Sequence, residues 1–121
     1  MVATARPVNL DERRVLAALI SGLENLDQLR LLNEIDQVLI RPINADESIL
    51  EFIYEDYERP DQGQMPVGHE GVLLDADNVE VEVILYWDRN RRLCEFELLR
   101  TGEGDLVSPQ WNSFRLKDAR S

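Results

Sequence analysis

Val79-Glu80-Val81-Glu82-Val83-Ile84-Leu85-Tyr86-Trp87, then Asp88-Arg89-Asn90-Arg91, then Arg92-Leu93-Cys94-Glu95-Phe96-Glu97-Leu98-Leu99-Arg100 is the stretch on which the fold turns. Apolar and polar residues alternate on both sides of a polar tetrad, which predicts two antiparallel strands joined by a hairpin turn. Pairing Asp88 with Arg91 sets Val81 against Leu98, Val83 against Phe96 and Leu85 against Cys94, with Val79 and Trp87 on the same side. That side is a core face. A slip by one residue would set Val83 against Glu97 and Leu85 against Glu95, and the penalty for burying those carboxylates selects the first register.

The other side of the ribbon then carries Glu80, Glu82, Ile84 and Tyr86 from one strand and Leu93, Glu95, Glu97 and Leu99 from its neighbour, with Glu82 opposite Glu97. Glu51 and Glu55 extend this face if the strand that contains them lies alongside. Carboxylates mixed with Ile, Leu and Tyr suit a basic protein partner: the apolar groups supply buried area, and the charges steer and pair. A plainly solvated sheet face has the same composition, so the pattern alone does not separate the two.

Upstream of the ribbon, Asn9 and Glu12 have capping-box spacing, and Val15, Leu16, Leu19, Ile20 and Leu23 recur at helical intervals as far as Gly22. Asn25 and Gln28 repeat the cap spacing before a stripe of Leu26, Leu29 and Leu32, with Leu31 beside it, which predicts a second helix over residues 26–34. So short a connection makes the two helices a hairpin. Strands are expected over residues 38–41, 49–57 and 69–74, besides the two of the ribbon. A loop rich in Pro and Gly spans residues 58–66, and Asp75-Ala76-Asp77-Asn78 forms another hairpin turn. Leu106 and Val107 suggest a short edge strand, and Trp111, Phe114 and Leu116 pack back on the core. The expectation is a single α+β domain over residues 1–121, with residues 1–8 as a lead-in and 117–121 as a loose tail. Its helical hairpin covers one face of an antiparallel meander of about five strands.

The chain of 121 residues carries 24 acidic and 13 basic side chains, a formal net charge of −11. Residues 51–83 hold ten acids and one base, Arg59. Such a field disfavours nucleic acid and anionic membranes and favours basic partners. The chain has no signal-peptide core and no apolar run long enough to span a bilayer, so a cytoplasmic location is expected. The single cysteine, Cys94, leaves no intramolecular disulfide framework.

Catalytic and metal signatures are weak. His69 is the only histidine, and Cys94 falls on the predicted core face, where a thiol acts as a small hydrophobe. Asp75-Ala76-Asp77-Asn78 starts like a calcium loop, but Glu80 and Tyr86 stand where glycine and glutamate are required. Arg89, Arg91 and Arg92 make only a small basic turn. No cofactor and no metal site is expected, and the chain reads as a non-enzyme.

Several segments resemble an uncharacterised family of small bacterial domains of unknown function. They are Arg6-Pro7, the run Arg13-Arg14-Val15-Leu16-Ala17-Ala18-Leu19-Ile20, Ser48-Ile49, Met65-Pro66-Val67, Leu74-Asp75-Ala76-Asp77, and Leu93 to Arg100 followed by Thr101-Gly102. Asn78 stands where that family tends to have glycine. The resemblance implies a fold and supplies no active site. The leading functional reading is an acidic protein-binding module, such as an immunity protein or inhibitor that masks a basic partner. The alternatives are an acidic secretion chaperone, expected as a dimer, and a small ligand-binding or enzymatic domain around His69 with Tyr54 or Tyr86.

Overall fold

A computed structural model describes residues 4–117. The chain runs β1 (Arg6–Pro7), α1 (Leu10–Leu19), a 3-10 turn (Ile20–Gly22), α2 (Asn25–Gln37), β2 (Leu39–Pro42), β3 (Ile49–Ile53), β4 (Met65–Pro66), β5 (Gly71–Leu74), β6 (Glu80–Trp87), β7 (Leu93–Arg100) and β8 (Gln110–Leu116). All pairings are antiparallel, in the order β1-β2-β3-β7-β6-β5-β8, and β4 lies beside β6 ahead of β5. The sheet forms a half-barrel. The α+β class and the antiparallel sheet agree with the sequence reading, but eight strand segments replace the expected five.

The differences have local causes. The lead-in contains β1, whose Arg6 pairs with Ile40. Leu106 and Val107 form no strand. The last strand begins three residues later and holds Trp111 and Phe114 against the core. Lys117 is not loose: its backbone N–H donates to the Glu70 carbonyl (2.9 Å). The rest of the expected tail, residues 118–121, lies outside the described residues.

Helix α1 starts as its sequence requires. The Asn9 side chain accepts from the Glu12 N–H (2.8 Å), and the Glu12 carboxylate accepts from the Asn9 N–H (2.9 Å). Arg6 closes the arrangement with two bonds to Glu12, of 2.8 and 2.7 Å. Glu12 is thereby buried (2 % exposed) with its charge paired. Glu12→Ala keeps the bond from the residue-12 N–H to the Asn9 side chain but removes the acceptor of the Asn9 N–H and the carboxylate that pairs with Arg6, and should cost about 2–3 kcal/mol. Glu12→Gln keeps both bonds of the capping box and loses only the charge paired with Arg6, and should cost about half as much. Urea unfolding with unchanged m-values checks both.

Helix α2 departs from its expected face. Glu24, not Asn25, is the N-cap, and the helix runs on to Gln37. Leu31 and Ile35 are buried, whereas Leu26 (81 %) and Leu29 (66 %) are exposed. Ending the helix at Glu34 omits Ile35, and it is the Leu31–Ile35 pair, spaced i to i+4, that marks the inward face. The hairpin is antiparallel: Arg13 near the start of α1 pairs with Asp36 near the end of α2 (2.6 Å). Gln28 reaches back to the Ser21 and Leu23 carbonyls.

The β6–β7 ribbon keeps its predicted parity but not its predicted pairs. Val83 faces Leu98, Leu85 faces Phe96 and Glu82 faces Leu99 rather than Glu97. Two single-residue insertions produce the change. The Asp88 N–H donates to the Arg92 carbonyl (2.8 Å), and the Arg91 N–H to the Asp88 carbonyl (2.9 Å), with Arg91 at φ 61°. This is a three-residue loop closed by a left-handed residue, one longer than the turn assumed from sequence. A bulge then sets two residues of β7 against one of β6, between the pairs Tyr86–Glu95 and Trp87–Leu93. Shifts of one and one sum to two, so Val81, Val83, Leu85, Phe96 and Leu98 still point inward, each 0–2 % exposed. The extra residue is Cys94, and both Leu93 and Cys94 are buried beside the bulge. Leu93 therefore belongs to the core and not to the outer face assigned to it from alternation.

The β5–β6 turn has the same geometry, with Asn78 at φ 67° in the left-handed position. Asparagine tolerates that conformation, so the hairpin closes there without a glycine.

Candidate functional site

Both helices pack on the inner side of the sheet, and the outer side collects the acidic residues. Glu82, Ile84 and Tyr86 of β6, Glu95, Glu97 and Leu99 of β7 and Glu51 of β3 share it: Tyr86 pairs with Glu95, Ile84 with Glu97, and Glu51 with Glu95 across the next strand. Glu80 lies exposed at the start of β6. Glu55 does not belong to this face. Strand β3 ends at Ile53, and Glu55 lies exposed in the turn that follows.

The face carries its own counter-charges. Glu95 pairs with Arg59 (2.9 Å), Glu82 with Lys117 (3.4 Å) and Glu80 with Arg115 (3.8 Å), and Glu51 is held by the Arg41 guanidinium. Glu51 and Glu95 oppose each other directly, an arrangement that is unfavourable when bare and relieved here because each carboxylate has its own arginine. Glu97 has no ion pair among the described residues and accepts from the Tyr86 hydroxyl (3.1 Å). Burial, and then Glu97, push the Tyr86 hydroxyl above its ordinary pKa. Leu99, 47 % exposed, stands at the margin.

A second feature lies where α2 meets the β2–β3 edge. A groove of about 550 Å³ is lined by Asn33, Glu34 and Gln37 of α2, by Leu39, Ile53, Tyr54 and Glu55, and by Arg92. The Tyr54 hydroxyl, with one proton to donate, lies within hydrogen-bond distance of two acceptors, the Leu93 carbonyl (2.7 Å) and the Glu34 carboxylate (3.0 Å). Burial, and then the Glu34 charge, raise its pKa far above the ordinary phenol range. The rings of Tyr54 and Tyr57 meet at 83° with centroids 5.6 Å apart, and the Arg92 guanidinium sits in the corner, 4.0 Å and 4.4 Å from the two centroids. The sequence reading treated Arg89, Arg91 and Arg92 as a small basic turn. The available signal was Tyr54-x-x-Tyr57, whose rings only the fold brings to Arg92.

The weak chemical candidates become structural. Burial raises the Cys94 thiol to about 11, Arg59 opposing the shift, so little thiolate exists at neutral pH. Cys94 should therefore resist a thiol reagent in the native state and react at once in denaturant, which a colorimetric thiol assay reads directly. The His69 ring packs over Gly22, and the His69 backbone N–H donates to the Leu19 carbonyl at the end of α1 (2.7 Å). Asp75 is committed to the Ala76, Val107 and Ser108 N–H groups and to Arg100, which leaves no lone pairs for a calcium ion. Among the described residues no group of three or more His, Cys, Asp or Glu side chains could hold a metal. No helix of the described residues is long and apolar enough to cross a membrane.

The profile of a domain of unknown function, DUF6984, matches residues 5–110, which includes every element from β1 to β7. The chain belongs to this family. No curated protein and no solved structure matches it. The Asp75 turn and the Arg92 corner lie inside the matched span, while nearly all of β8 falls beyond it.

Proposed function

We propose that this DUF6984 protein is a protein-binding module whose outer sheet face docks a basic partner, as an immunity protein or inhibitor would. The observation that carries the reading is a sheet face that neither helix covers, on which Ile84, Tyr86 and Leu99 stand among carboxylates. The chain's net charge of −11 gives the partner its sign. The internal ion pairs do not oppose docking. Surface pairs are worth about 0–1 kcal/mol each, so exchanging Arg59 or Lys117 for a partner's arginine is nearly neutral. The net gain would come from covering the apolar residues, and the carboxylates would set orientation and encounter rate.

Affinity capture from cell extract with the native chain, followed by elution in rising salt, tests the charge argument. A retained basic protein released by moderate salt is the expected result. Glu82→Lys combined with Glu97→Lys should abolish retention in a chain with an unchanged circular dichroism spectrum. Retention by that variant would overturn the assignment to this face.

A further inference from the structure

We infer that the groove between α2 and the β2–β3 edge is a binding site for a small zwitterion, a free amino acid or very short peptide, with its carboxylate on Arg92. The inference is independent of the docking face. Arginines outside the β6–β7 turn form ion pairs with carboxylates among the described residues. Arg92 does not, although the chain carries an excess of acid. Its guanidinium has no hydrogen-bonded or ion-paired partner among the described residues, and two aromatic rings hold it in place. The nearby buried Asp88 is occupied otherwise: it accepts from the Tyr57 hydroxyl and from the Asn90 (2.8 Å) and Arg92 (3.2 Å) backbone N–H groups. A planar cation fixed on ring faces, with its donors uncommitted, is suited to a carboxylate or phosphate that takes two parallel bonds.

The rest of the groove decides between those two anions. Glu55 lines it without an ion pair among the described residues, and Glu34 lines it beside Arg30. Two carboxylates would repel a dianionic phosphate and attract an ammonium group. On the helix side, Gln37 donates to the Asn33 carbonyl (2.8 Å), which leaves the Asn33 amide N–H and the Gln37 carbonyl to face a polar ligand. A volume of about 550 Å³ lies within the usual range for small-molecule sites and exceeds the need of one amino acid.

The test titrates the isotopically labelled chain with each free amino acid at millimolar concentration and follows its amide resonances. Parallel titrations use the corresponding amino-acid amides, a set of dipeptides, and inorganic phosphate. At least one amino acid or dipeptide should shift the resonances of Asn33, Gln37, Glu55 and Arg92, and comparing the two sets separates the free and peptide sources. The amide form, which lacks the carboxylate, should bind roughly 10-fold or more weakly. Arg92→Lys keeps the charge but loses the planar fork, and should weaken binding by a similar factor. No shift with any amino acid or dipeptide would overturn the inference. So would equal binding of acid and amide, or phosphate binding more tightly at the same residues. The amide comparison uses the unaltered chain, so it decides the matter even if the Arg92 variant fails to fold.

Discussion

Replacing Asp75 with alanine should lower stability by about 3–5 kcal/mol, a large fraction of the stability of a domain this size. Asp75 is fully buried at the start of the β5–β6 turn, and its two oxygens serve four donors. Oδ1 accepts from the Ala76 (2.8 Å) and Ser108 (2.7 Å) N–H groups, and Oδ2 from the Val107 N–H (2.9 Å) and the Arg100 guanidinium (2.8 Å). The loop between β7 and β8 has few other anchors. One is Asp46, which accepts from the Leu106 N–H (2.9 Å) and the Ser48 hydroxyl (2.7 Å). Removing Asp75 therefore leaves the Ala76, Val107 and Ser108 N–H groups without their acceptor, takes one of two carboxylates from the Arg100 guanidinium, which keeps Asp77, and releases the segment that leads into β8. Asp75→Asn should be nearly as damaging. Whichever way the amide is turned, its NH₂ group faces donors. Thermal unfolding should show a drop of roughly 10–25 °C for either variant. A drop within a few degrees would mean that the loop is held by something else.

The same carboxylates set the acid limit of the fold. Burial alone would raise the pKa of Asp75, but its backbone and Arg100 donors outweigh burial and hold it below the ordinary value. The Leu106 N–H lowers Asp46, and Arg100 lowers Asp77 to about 2. A pKa depressed in the folded state contributes stability above the unfolded value, near 4, which is lost as pH falls through the folded value. Stability should accordingly be flat from neutral pH to about pH 5 and fall steeply below about pH 4. In Asp75→Asn the fall should be shallower, because that group no longer takes up a proton on unfolding. Denaturant midpoints measured across this range separate the two profiles.

What the sequence made legible was local. The capping box at Asn9 and Glu12, the alternation in β6 and β7 and the two Asp-initiated turns are each written in a few adjacent residues, and the structure keeps all of them. The failures come from residues whose role is set at a distance. Leu26 and Leu29 satisfy a helical stripe as well as Leu31 and Ile35 do, and only the sheet beneath decides which pair is buried. The bulge at Cys94 leaves no mark in the alternation, because Leu93 and Cys94 are both apolar enough to be read either way. The acidic face was visible as a set of glutamates but not as an ion-paired one: Arg41, Arg59 and Lys117 arrive from other segments. The Arg92 corner needs Tyr54 and Tyr57, which follow β3, brought to the start of β7, a strand distant in sequence that the sheet places beside β3.

The parity of the ribbon can be tested on two adjacent leucines. Leu98 is 2 % exposed on the inner face, opposite Val83, and Leu99 is 47 % exposed on the outer face, opposite Glu82. Leu98→Asp loses the transfer and packing energy of a buried leucine, about 2–5 kcal/mol, and adds several kcal/mol for an unpaired carboxylate among Val81, Val83 and Phe96. The sum is of the order of the whole folding free energy, so this variant should be unfolded at room temperature. Leu99→Asp removes a half-exposed side chain and adds a charge in water. It should stay folded, with a loss of about 1 kcal/mol from the removed apolar area and the new neighbour Glu82. Circular dichroism with urea titration distinguishes them without reference to any partner. Equal damage from both substitutions would mean that the outer face is covered. A folded Leu98→Asp would mean that the inserted residues do not cancel, and the carboxylates of β6 and β7 would then no longer share one surface.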